Sequence, residues 1–104
     1  MRILVVCGAG ASSTFVAQRI NSAARARRLA YAATATNESS LPAEVAASDL
    51  VLLGPHLAPQ LGQVTQLAAQ HGVQVLLLGP DVFSDLDGSR TLARIEAAVR
   101  DTPG

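Results

Sequence analysis

The sequence predicts an α/β fold, in which an open four-stranded parallel sheet carries helices on both faces. Apolar runs of strand length alternate with stretches of helical periodicity along the 104 residues. The runs are continuously apolar, which is typical of parallel strands covered on both faces. Because crossovers between parallel strands are almost always right-handed, the alternation implies helices on both faces of the sheet. We expect the strand order 2-1-3-4, within one domain spanning residues 1–104.

The first strand and the first helix follow one another closely. The run RILVV, residues 2–6, has the length and apolar character of a buried strand. Apolar residues at spacings of three and four then predict a helix from Ser12 or Ser13 to about Arg28, and the arginines near its end suit the helix dipole. The run LAYAATAT, residues 29–36, predicts a second and weaker strand.

A short helix and a third strand come next. Ser39 and Ser40 are candidates for the N-cap of this second helix, and Pro42 suits a first helical turn. The run LVLLG, residues 50–54, is wholly apolar up to its glycine and predicts the third strand. We therefore expect the second helix to be the shortest of the set.

The rest of the chain supplies a helix, a strand and a terminal helix. The third helix is indicated by an apolar face, and Gly72 marks its end. That face consists of Leu57, Leu61, Val64 and Ala68. The run VQVLLLG, residues 73–79, predicts the fourth strand, and SRTLARIEAAVR, residues 89–100, predicts the last helix.

Composition excludes several classes of function. Eight basic residues balance eight acidic ones, so we expect no nucleic-acid partner and no attraction to an anionic membrane. The apolar runs are far shorter than the roughly 20 residues of a membrane-spanning helix. Nothing at the start resembles a cleavable signal, which predicts a cytoplasmic protein without direct membrane insertion. Cys7 is the single cysteine, which excludes an internal disulfide and a cysteine zinc site.

Cys7 stands between the first strand and a glycine-rich turn, in the stretch VVCGAGASST. Gly8 and Gly10 let the backbone turn tightly and point N–H groups inward, while Ser12 and Ser13 are suited to cap the helix and donate hydroxyl hydrogen bonds. The positive end of that helix is expected to lower the pKa of the thiol from about 8.5. The stretch therefore predicts an anion-binding loop beside a nucleophile, which favours phosphoryl chemistry on sulfur.

Other interpretations of the acidic and glycine-rich stretches are weaker. A free cysteine is most often a small buried apolar residue, but a purely structural strand end has no need of glycines and hydroxyls beside one sulfur. GAGASS has Ser13 where a dinucleotide fingerprint carries its third glycine, and no Gly-Lys pair follows, which excludes a nucleotide P-loop. Asp81, Asp85 and Asp87 lack the calcium-loop spacing and are interpreted as solvated turn carboxylates, so we expect neither metal nor cofactor.

The stretches ILVVCGAGASST, DLVLLGPHLAPQL and VFSDLDG resemble the enzyme IIB component of the lactose, cellobiose and chitobiose branch of the bacterial phosphoenolpyruvate-dependent sugar phosphotransferase system. The resemblance covers essentially the whole chain. It implies a phosphocysteine: Cys7 takes a phosphoryl group from a phosphohistidine of the IIA component and passes it to a sugar held by the IIC permease. The phosphate loop that it implies comprises Gly8, Ala9, Gly10, Ala11, Ser12 and Ser13.

Two alternatives stay open at this point. Low-molecular-weight tyrosine phosphatases, whose fold the predicted one resembles, also place a cysteine after the first strand. They require an arginine six residues after that cysteine, where this chain has Ser13, so the guanidinium clamp on the phosphoryl group is missing. The other alternative is a noncatalytic anion-binding module with an inert Cys7. Phosphorylation of Cys7 by a phosphohistidine donor distinguishes the carrier from both.

Two further positions are predicted to lie on the surface that meets the partners. His56 replaces a glutamine frequent in the family, and Phe83 replaces a frequent tyrosine. His56 is interpreted as a partly exposed loop residue without essential chemistry. Since both residues follow strands, we expect them at the carboxyl edge of the sheet, beside Cys7.

Overall fold

The computed structural model describes residues 1–6, 10–37, 39–85 and 87–100 of the chain. Its strands are β1 (Arg2–Val6), β2 (Ala32–Thr36), β3 (Leu50–Leu53) and β4 (Gln74–Leu77). They form one sheet in the order β2-β1-β3-β4, and each neighbouring pair is parallel. The α-helices are α1 (Gly10–Ala26), α2 (Leu41–Glu44), α3 (Leu61–Ala69) and α4 (Ser89–Arg100). The predicted α/β fold and strand order are confirmed.

Each face of the sheet has its own apolar core. Successive residues of β1 point to opposite faces, so Ile3 and Val5 join the core formed with α1 and α4, and Leu4 and Val6 join the core formed with α2 and α3. All residues of β3 are buried. Because each fully buried aliphatic side chain contributes about 1.5–3 kcal/mol, the central strands β1 and β3 form a firmly held base for the segments that leave them.

α1 and β2 differ from the prediction at their ends. α1 begins at Gly10, so Ser12 and Ser13 lie inside the helix and the expectation that they form its N-cap is wrong. After Ala26 the chain closes a turn in which Arg28 has a φ of 58° and the N–H of Leu29 donates to the carbonyl of Ala24. This turn occupies the residues just before β2, which is why that strand begins later than predicted.

α2 is a single helical turn, followed by the 3-10 helix Val45–Ala47. Its shortness and the place of Pro42 in its first turn confirm the prediction. Ser40 occupies the N-cap position, but its side chain makes no cap hydrogen bond, so the predicted capping by serine is wrong. Ser40 has helical φ and ψ instead of the extended conformation that lets a cap side chain reach the helix. Oδ1 of Asn37 instead accepts the N–H of Ser40 at 2.9 Å.

α3 begins later than its apolar pattern predicts. The preceding residues Pro55–Gln60 form a 3-10 helix that contains Pro59. Proline has no N–H to donate into an α-helical turn, which accounts for the delayed start. Leu57 is buried all the same. The helix is followed by Gly72, whose φ of 68° confirms the predicted stop.

Side chains of the helices cover backbone groups at both edges of the sheet. Asn21 of α1 donates from Nδ2 to the carbonyl of Ala33 at 2.9 Å and accepts the N–H of Ala33 through Oδ1 at 2.8 Å. Arg94 of α4 donates to the carbonyl of Leu77 at 3.1 Å. These contacts fix α1 against β2 and α4 against β4.

Candidate functional site

The last residues of the strands lie in one row across the sheet. Val6 pairs in register with Thr36 of β2 and with Leu53 of β3, and Leu53 pairs with Leu77 of β4. Neighbouring strands are about 4.8 Å apart, so the segments that leave these residues emerge side by side. We call this row and the segments that follow it the carboxyl edge.

The predicted nucleophile lies at the junction of β1 and α1. Cys7, Gly8 and Ala9 lie outside the described residues, and they connect Val6 to the first residue of a 17-residue helix. The first N–H groups of a helix have no partner within it, and its amino end carries a partial positive charge. No acidic residue lies in the first turn of α1 to offset that charge. The backbone of the remaining predicted loop residues, 10–13, belongs to this turn, which suits an anion.

The segments after β3 and β4 border the junction. The N–H of Gly54 donates to the carbonyl of Val6 at 2.7 Å, which ties the chain after β3 directly to the end of β1. His56 is exposed, whereas Leu57 beside it is buried. Phe83 belongs to the 3-10 helix Pro80–Ser84, which follows β4. The structure thus places both predicted partner positions on segments of the carboxyl edge, and their role in docking stays a prediction.

An exposed aromatic side chain that the sequence analysis did not single out lies on α1. Phe15 is 57% exposed, while Val16 and Ala17 next to it pack into the core. The signal was present in the sequence, because Phe15 falls outside the apolar face of the helix that includes Val16 and Ile20. Phe15 lies close in sequence to the β1–α1 junction and adds apolar surface on that side of the molecule.

The interpretation of Asp85 as a solvated turn carboxylate is wrong. Asp85 is only 5% exposed, and its Oδ2 accepts hydrogen bonds from the N–H and the hydroxyl of Thr91, both at 2.8 Å. Its Oδ1 accepts the N–H of Arg90 at 3.3 Å. These N–H groups belong to the first turn of α4, where no carbonyl within the helix reaches them. Asp85 is therefore a buried cap of α4.

Asp81 and Asp87 are exposed, as the sequence indicated. Oδ1 of Asp87 accepts the N–H of Ser89 at 3.0 Å and its hydroxyl at 2.8 Å. These hydrogen bonds, first the backbone one and then the hydroxyl, hold the pKa of Asp87 below its ordinary value, because both stabilise the carboxylate. Asp87 thus satisfies the first N–H of α4, and Asp85 satisfies the two that follow.

A surface pocket lies at the end of the sheet opposite to the carboxyl edge. This pocket measures about 570 Å³ and lies between α1 and the start of β2, with Arg25 and Tyr31 among its walls. Across the described ranges, no three histidine, cysteine or acidic side chains are grouped so as to hold a metal ion. None of the helices in the described part of the chain is long and apolar enough to span a membrane.

Solved structures of IIB proteins share this fold. The lactose-specific IIB component domain of the phosphoenolpyruvate:carbohydrate phosphotransferase system from Streptococcus pneumoniae superimposes with a TM-score of 0.85 at 19% identity, over 93% of this chain and 95% of that one. The cellobiose-specific phosphotransferase IIB component from Borrelia burgdorferi gives a TM-score of 0.74 at 26% identity, over 100% and 96% of the two chains. No curated protein sequence matches the chain.

The sequence itself matches a family model. The model of the lactose/cellobiose-specific IIB subunit of the phosphotransferase system matches residues 2–83, which include β1 to β4 and the three segments that follow the first three strands. The resemblance found in the sequence is thereby confirmed. The chain belongs to the lactose/cellobiose-specific IIB subunits, the transferase components of a sugar phosphotransferase system that work with IIA and IIC components.

Proposed function

We propose that Cys7 is the phosphoryl carrier of this IIB domain. It accepts a phosphoryl group from a phosphohistidine of IIA and delivers it to a sugar bound by the IIC permease, at the cytoplasmic side of the membrane. The observation that carries the proposal is the junction at which Cys7 directly follows β1 and α1 begins three residues later. In this proposal residues 1–104 act as a single IIB domain.

The charge of the intermediate suits this junction. A phosphorylated thiol carries close to two negative charges and several strong hydrogen-bond acceptors. The first N–H groups of α1, which have no acceptor within the helix, can hold these oxygens, and the helix dipole favours both the thiolate and the phosphoryl group. The lack of acidic residues in the first turn of α1 supports the assignment, since a carboxylate there would repel the phosphoryl group.

Two displacements at phosphorus complete the transfer. In the first, the Cys7 thiolate attacks the phosphorus of phosphohistidine, the S–P bond forms, the N–P bond breaks, and the imidazole leaves with a proton taken from water. In the second, a sugar hydroxyl attacks the same phosphorus and gives its proton to water, the O–P bond forms, the S–P bond breaks, and the thiolate leaves. The sulfur ends as it began, so the chain is a carrier and is not consumed.

The geometry of in-line attack decides where the partners approach. The attacking and leaving groups lie on opposite sides of phosphorus, so each partner in turn must approach the thiol from outside the loop. The segments after β3 and β4, with His56 and Phe83, border that approach. The same surface serves IIA and IIC in succession, and each complex must therefore be transient.

Mass spectrometry of the phosphorylated chain tests the proposal. The purified protein is incubated with candidate IIA proteins that have been charged from phosphoenolpyruvate, and the modified residue is identified under conditions that preserve S–P bonds. We expect one phosphoryl group, on Cys7. Cys7→Ser should keep the fold and lose the transfer, because a serine hydroxyl is far less ionised than a thiol.

Histidine variants provide the matched control. The chain has two histidines, His56 and His71, either of which could in principle accept a phosphoryl group. His56→Ala and His71→Ala should both remain fully phosphorylated. Undiminished sugar phosphorylation by Cys7→Ser, or loss of labelling in a histidine variant whose Cys7 is intact and which still binds IIA, would refute the assignment.

A further inference from the structure

β4 pairs with β3 alone, so its other side is an outer edge of the sheet. Along a strand, the backbone groups of successive residues point alternately to its two sides. The N–H of Leu78 donates to the carbonyl of Leu53 at 2.8 Å, which directs the groups of Leu78 towards β3. The backbone groups of Val73, Val75 and Leu77 consequently point away from the sheet. We call the groups of these three residues the β4 edge.

Part of the β4 edge is already bonded within the chain. The N–H of Val73 donates to the carbonyl of Ala68 at 2.9 Å, and the carbonyl of Leu77 accepts from Arg94 at 3.1 Å. This leaves the carbonyl of Val73, both groups of Val75 and the N–H of Leu77. No residue of the ranges 1–6, 10–37, 39–85 and 87–100 forms a hydrogen bond with these groups. Two donors and two acceptors of the β4 edge therefore remain available.

The sequence of β4 does not prevent pairing with a further strand. Gln74–Leu77 contains neither a charged residue nor a proline, which are the usual means of keeping edge strands apart. All of its residues keep some exposed surface. At the opposite edge of the sheet, by contrast, Asn21 occupies both the N–H and the carbonyl of Ala33. The β4 edge is thus open where the β2 edge is partly closed.

The available groups of the β4 edge complement each other across a two-fold axis. If Val75 lies opposite Val75 of a second copy in an antiparallel pair, each N–H donates to the other carbonyl. Two residues further along, each Leu77 lies opposite Val73 of the other copy, and its N–H donates to that carbonyl. The remaining bond of this pair would join the Val73 N–H to the Leu77 carbonyl, the two groups that the chain already satisfies. Every available donor thereby meets an available acceptor.

Other arrangements match less well. An antiparallel pair centred on Gln74 or on Leu76 would place available groups opposite groups that are already bonded. A strand of an unrelated protein would likewise bring an acceptor to the bonded N–H of Val73 and a donor to the bonded carbonyl of Leu77. We infer that the β4 edge pairs with the β4 edge of a second copy of the chain, which joins the two sheets into one across a dimer.

The geometry of this pair defines the properties of the dimer. Two short paired strands are expected to bury less than the roughly 1,200–2,000 Å² of a stable interface, so association is weak and depends on concentration. Antiparallel pairing turns the carboxyl edges of the two copies to opposite ends of the dimer. The two β1–α1 junctions therefore stay apart, and the inference is independent of the proposed phosphoryl transfer.

Sedimentation equilibrium of the unsubstituted chain tests the association. Over protein concentrations from about 10 µM to about 1 mM, the weight-average mass should rise from that of the monomer towards twice that value. A mass that stays monomeric over the whole range would overturn the inference.

NMR on a mixture of ¹³C-labelled and unlabelled chains tests the register. Pairing centred on Val75 places the Cα of Gln74 about 4.5 Å from the Cα of Leu76 in the other copy. We therefore expect an isotope-filtered nuclear Overhauser effect between the Hα protons of these two residues. A dimer without this contact would pair through another surface, which contradicts the inference.

Proline substitutions at the two sheet edges provide matched variants. Val75→Pro removes the N–H that donates across the two-fold axis, so dimerisation should weaken about tenfold or more. Ala35→Pro is the control, because the N–H of Ala32 donates to the carbonyl of Met1 and Ala35 therefore points outward from β2. It should dimerise like the unsubstituted chain.

Circular dichroism establishes that both variants are folded. Equal dimerisation of folded Val75→Pro and Ala35→Pro would refute pairing through β4. If Val75→Pro does not fold, the contact between the Hα protons of Gln74 and Leu76 in the unsubstituted chain decides the matter, its presence supporting the dimer and its absence excluding it.

Discussion

The carbonyl oxygen of Arg19 lies 2.4 Å from the position that a Cβ atom would take at Gly88. Gly88 also has a φ of 75°, in the left-handed region. Both the space and the backbone angle therefore require glycine. The contact brings the residue before α4 directly against the backbone of α1, and it fixes how these two helices meet on one face of the sheet.

Gly88→Ala should lower the free energy of unfolding by about 2–4 kcal/mol, because left-handed strain and the clash with Arg19 add together. Urea unfolding monitored by circular dichroism measures this loss. The variant should remain folded without denaturant if the protein has the usual margin of stability.

Two other glycines provide the controls for that measurement. A Cβ atom at Gly72 would meet nothing within 4 Å, but φ is 68°, so Gly72→Ala should cost only the backbone strain of about 1–2 kcal/mol. Gly62 lies inside α3 with open space and no positive φ, so Gly62→Ala should raise stability by about 0.5–1 kcal/mol. An equal loss in all three variants would contradict the steric explanation.

Asp85→Ala should destabilise the protein by about 2–3 kcal/mol, since it leaves the N–H and hydroxyl groups of Thr91 buried without an acceptor. Asp81→Ala removes an exposed carboxylate of the same loop and should change stability by less than about 0.5 kcal/mol. Thermal unfolding of the two variants makes the comparison. If Asp85→Ala and Asp81→Ala had similar thermal stabilities, the result would support the interpretation of Asp85 as a solvated residue.

Asp87 should titrate below its ordinary pKa of 3.8 in the folded chain, because the N–H and the hydroxyl of Ser89 donate to the carboxylate. Since its pKa is lower in the folded than in the unfolded state, its stabilising contribution is present above the unfolded value and is lost as the pH falls through the folded value. A carboxyl-carbon NMR titration measures the pKa. Ser89→Ala should return it toward 3.8, and a folded-state value above 3.8 would contradict the hydrogen-bond geometry.

The chain should hydrolyse para-nitrophenyl phosphate negligibly, which distinguishes a phosphoryl carrier from a cysteine phosphatase. A phosphatase uses a loop arginine to stabilise the charge that develops as water attacks the phosphocysteine, and this chain has Ser13 at that position. A carrier instead needs a phosphocysteine that survives in water until the sugar arrives. Release of para-nitrophenol at a rate that falls to background in Cys7→Ser would favour the hydrolase over the carrier.

Addition of a cognate IIA should shift amide NMR signals at the carboxyl edge. The expected set comprises residues 8–13, the segment around His56 and the 3-10 helix that contains Phe83, together with exposed Phe15. Phe15→Ser should weaken binding of IIA without loss of stability, because the ring is largely in solvent. If the shifts were confined to the pocket between α1 and the start of β2, IIA would dock at the opposite end of the sheet, and the prediction would be contradicted.

The parts of the fold that depend on buried apolar runs could be predicted from the sequence. RILVV and LVLL form β1 and β3 because these strands are covered on both faces, and burial leaves little choice of conformation. The predicted strand order 2-1-3-4, which with right-handed crossovers leaves helices on both faces of the sheet, is also the observed order. The helix ends were less predictable. Pro59 lies within an apolar pattern of helical spacing, yet α3 begins only after it, because proline has no N–H to donate into a helical turn. The spacing of apolar residues carries no information about such a missing hydrogen bond.

The polar interactions at the helix starts were the hardest to predict. The role of Asp85 depends on burial against Thr91, six residues later in the chain, and a turn rich in aspartate has the same sequence whether it is buried or solvated. The position of Cys7 between β1 and a glycine-rich turn was, by contrast, plain from the sequence.

The paired hydrogen bonds between Asn21 and Ala33 have a consequence for solubility. A peripheral β-strand with free amide groups is a template on which other chains can polymerise, and cells contain many extended segments able to do so. At Ala33 both backbone groups are already occupied by a carboxamide from the same molecule. Oligomer growth through β2 would have to displace that carboxamide first. Asn21 therefore shields this position on the outer edge of β2 against pairing with a strand of another chain.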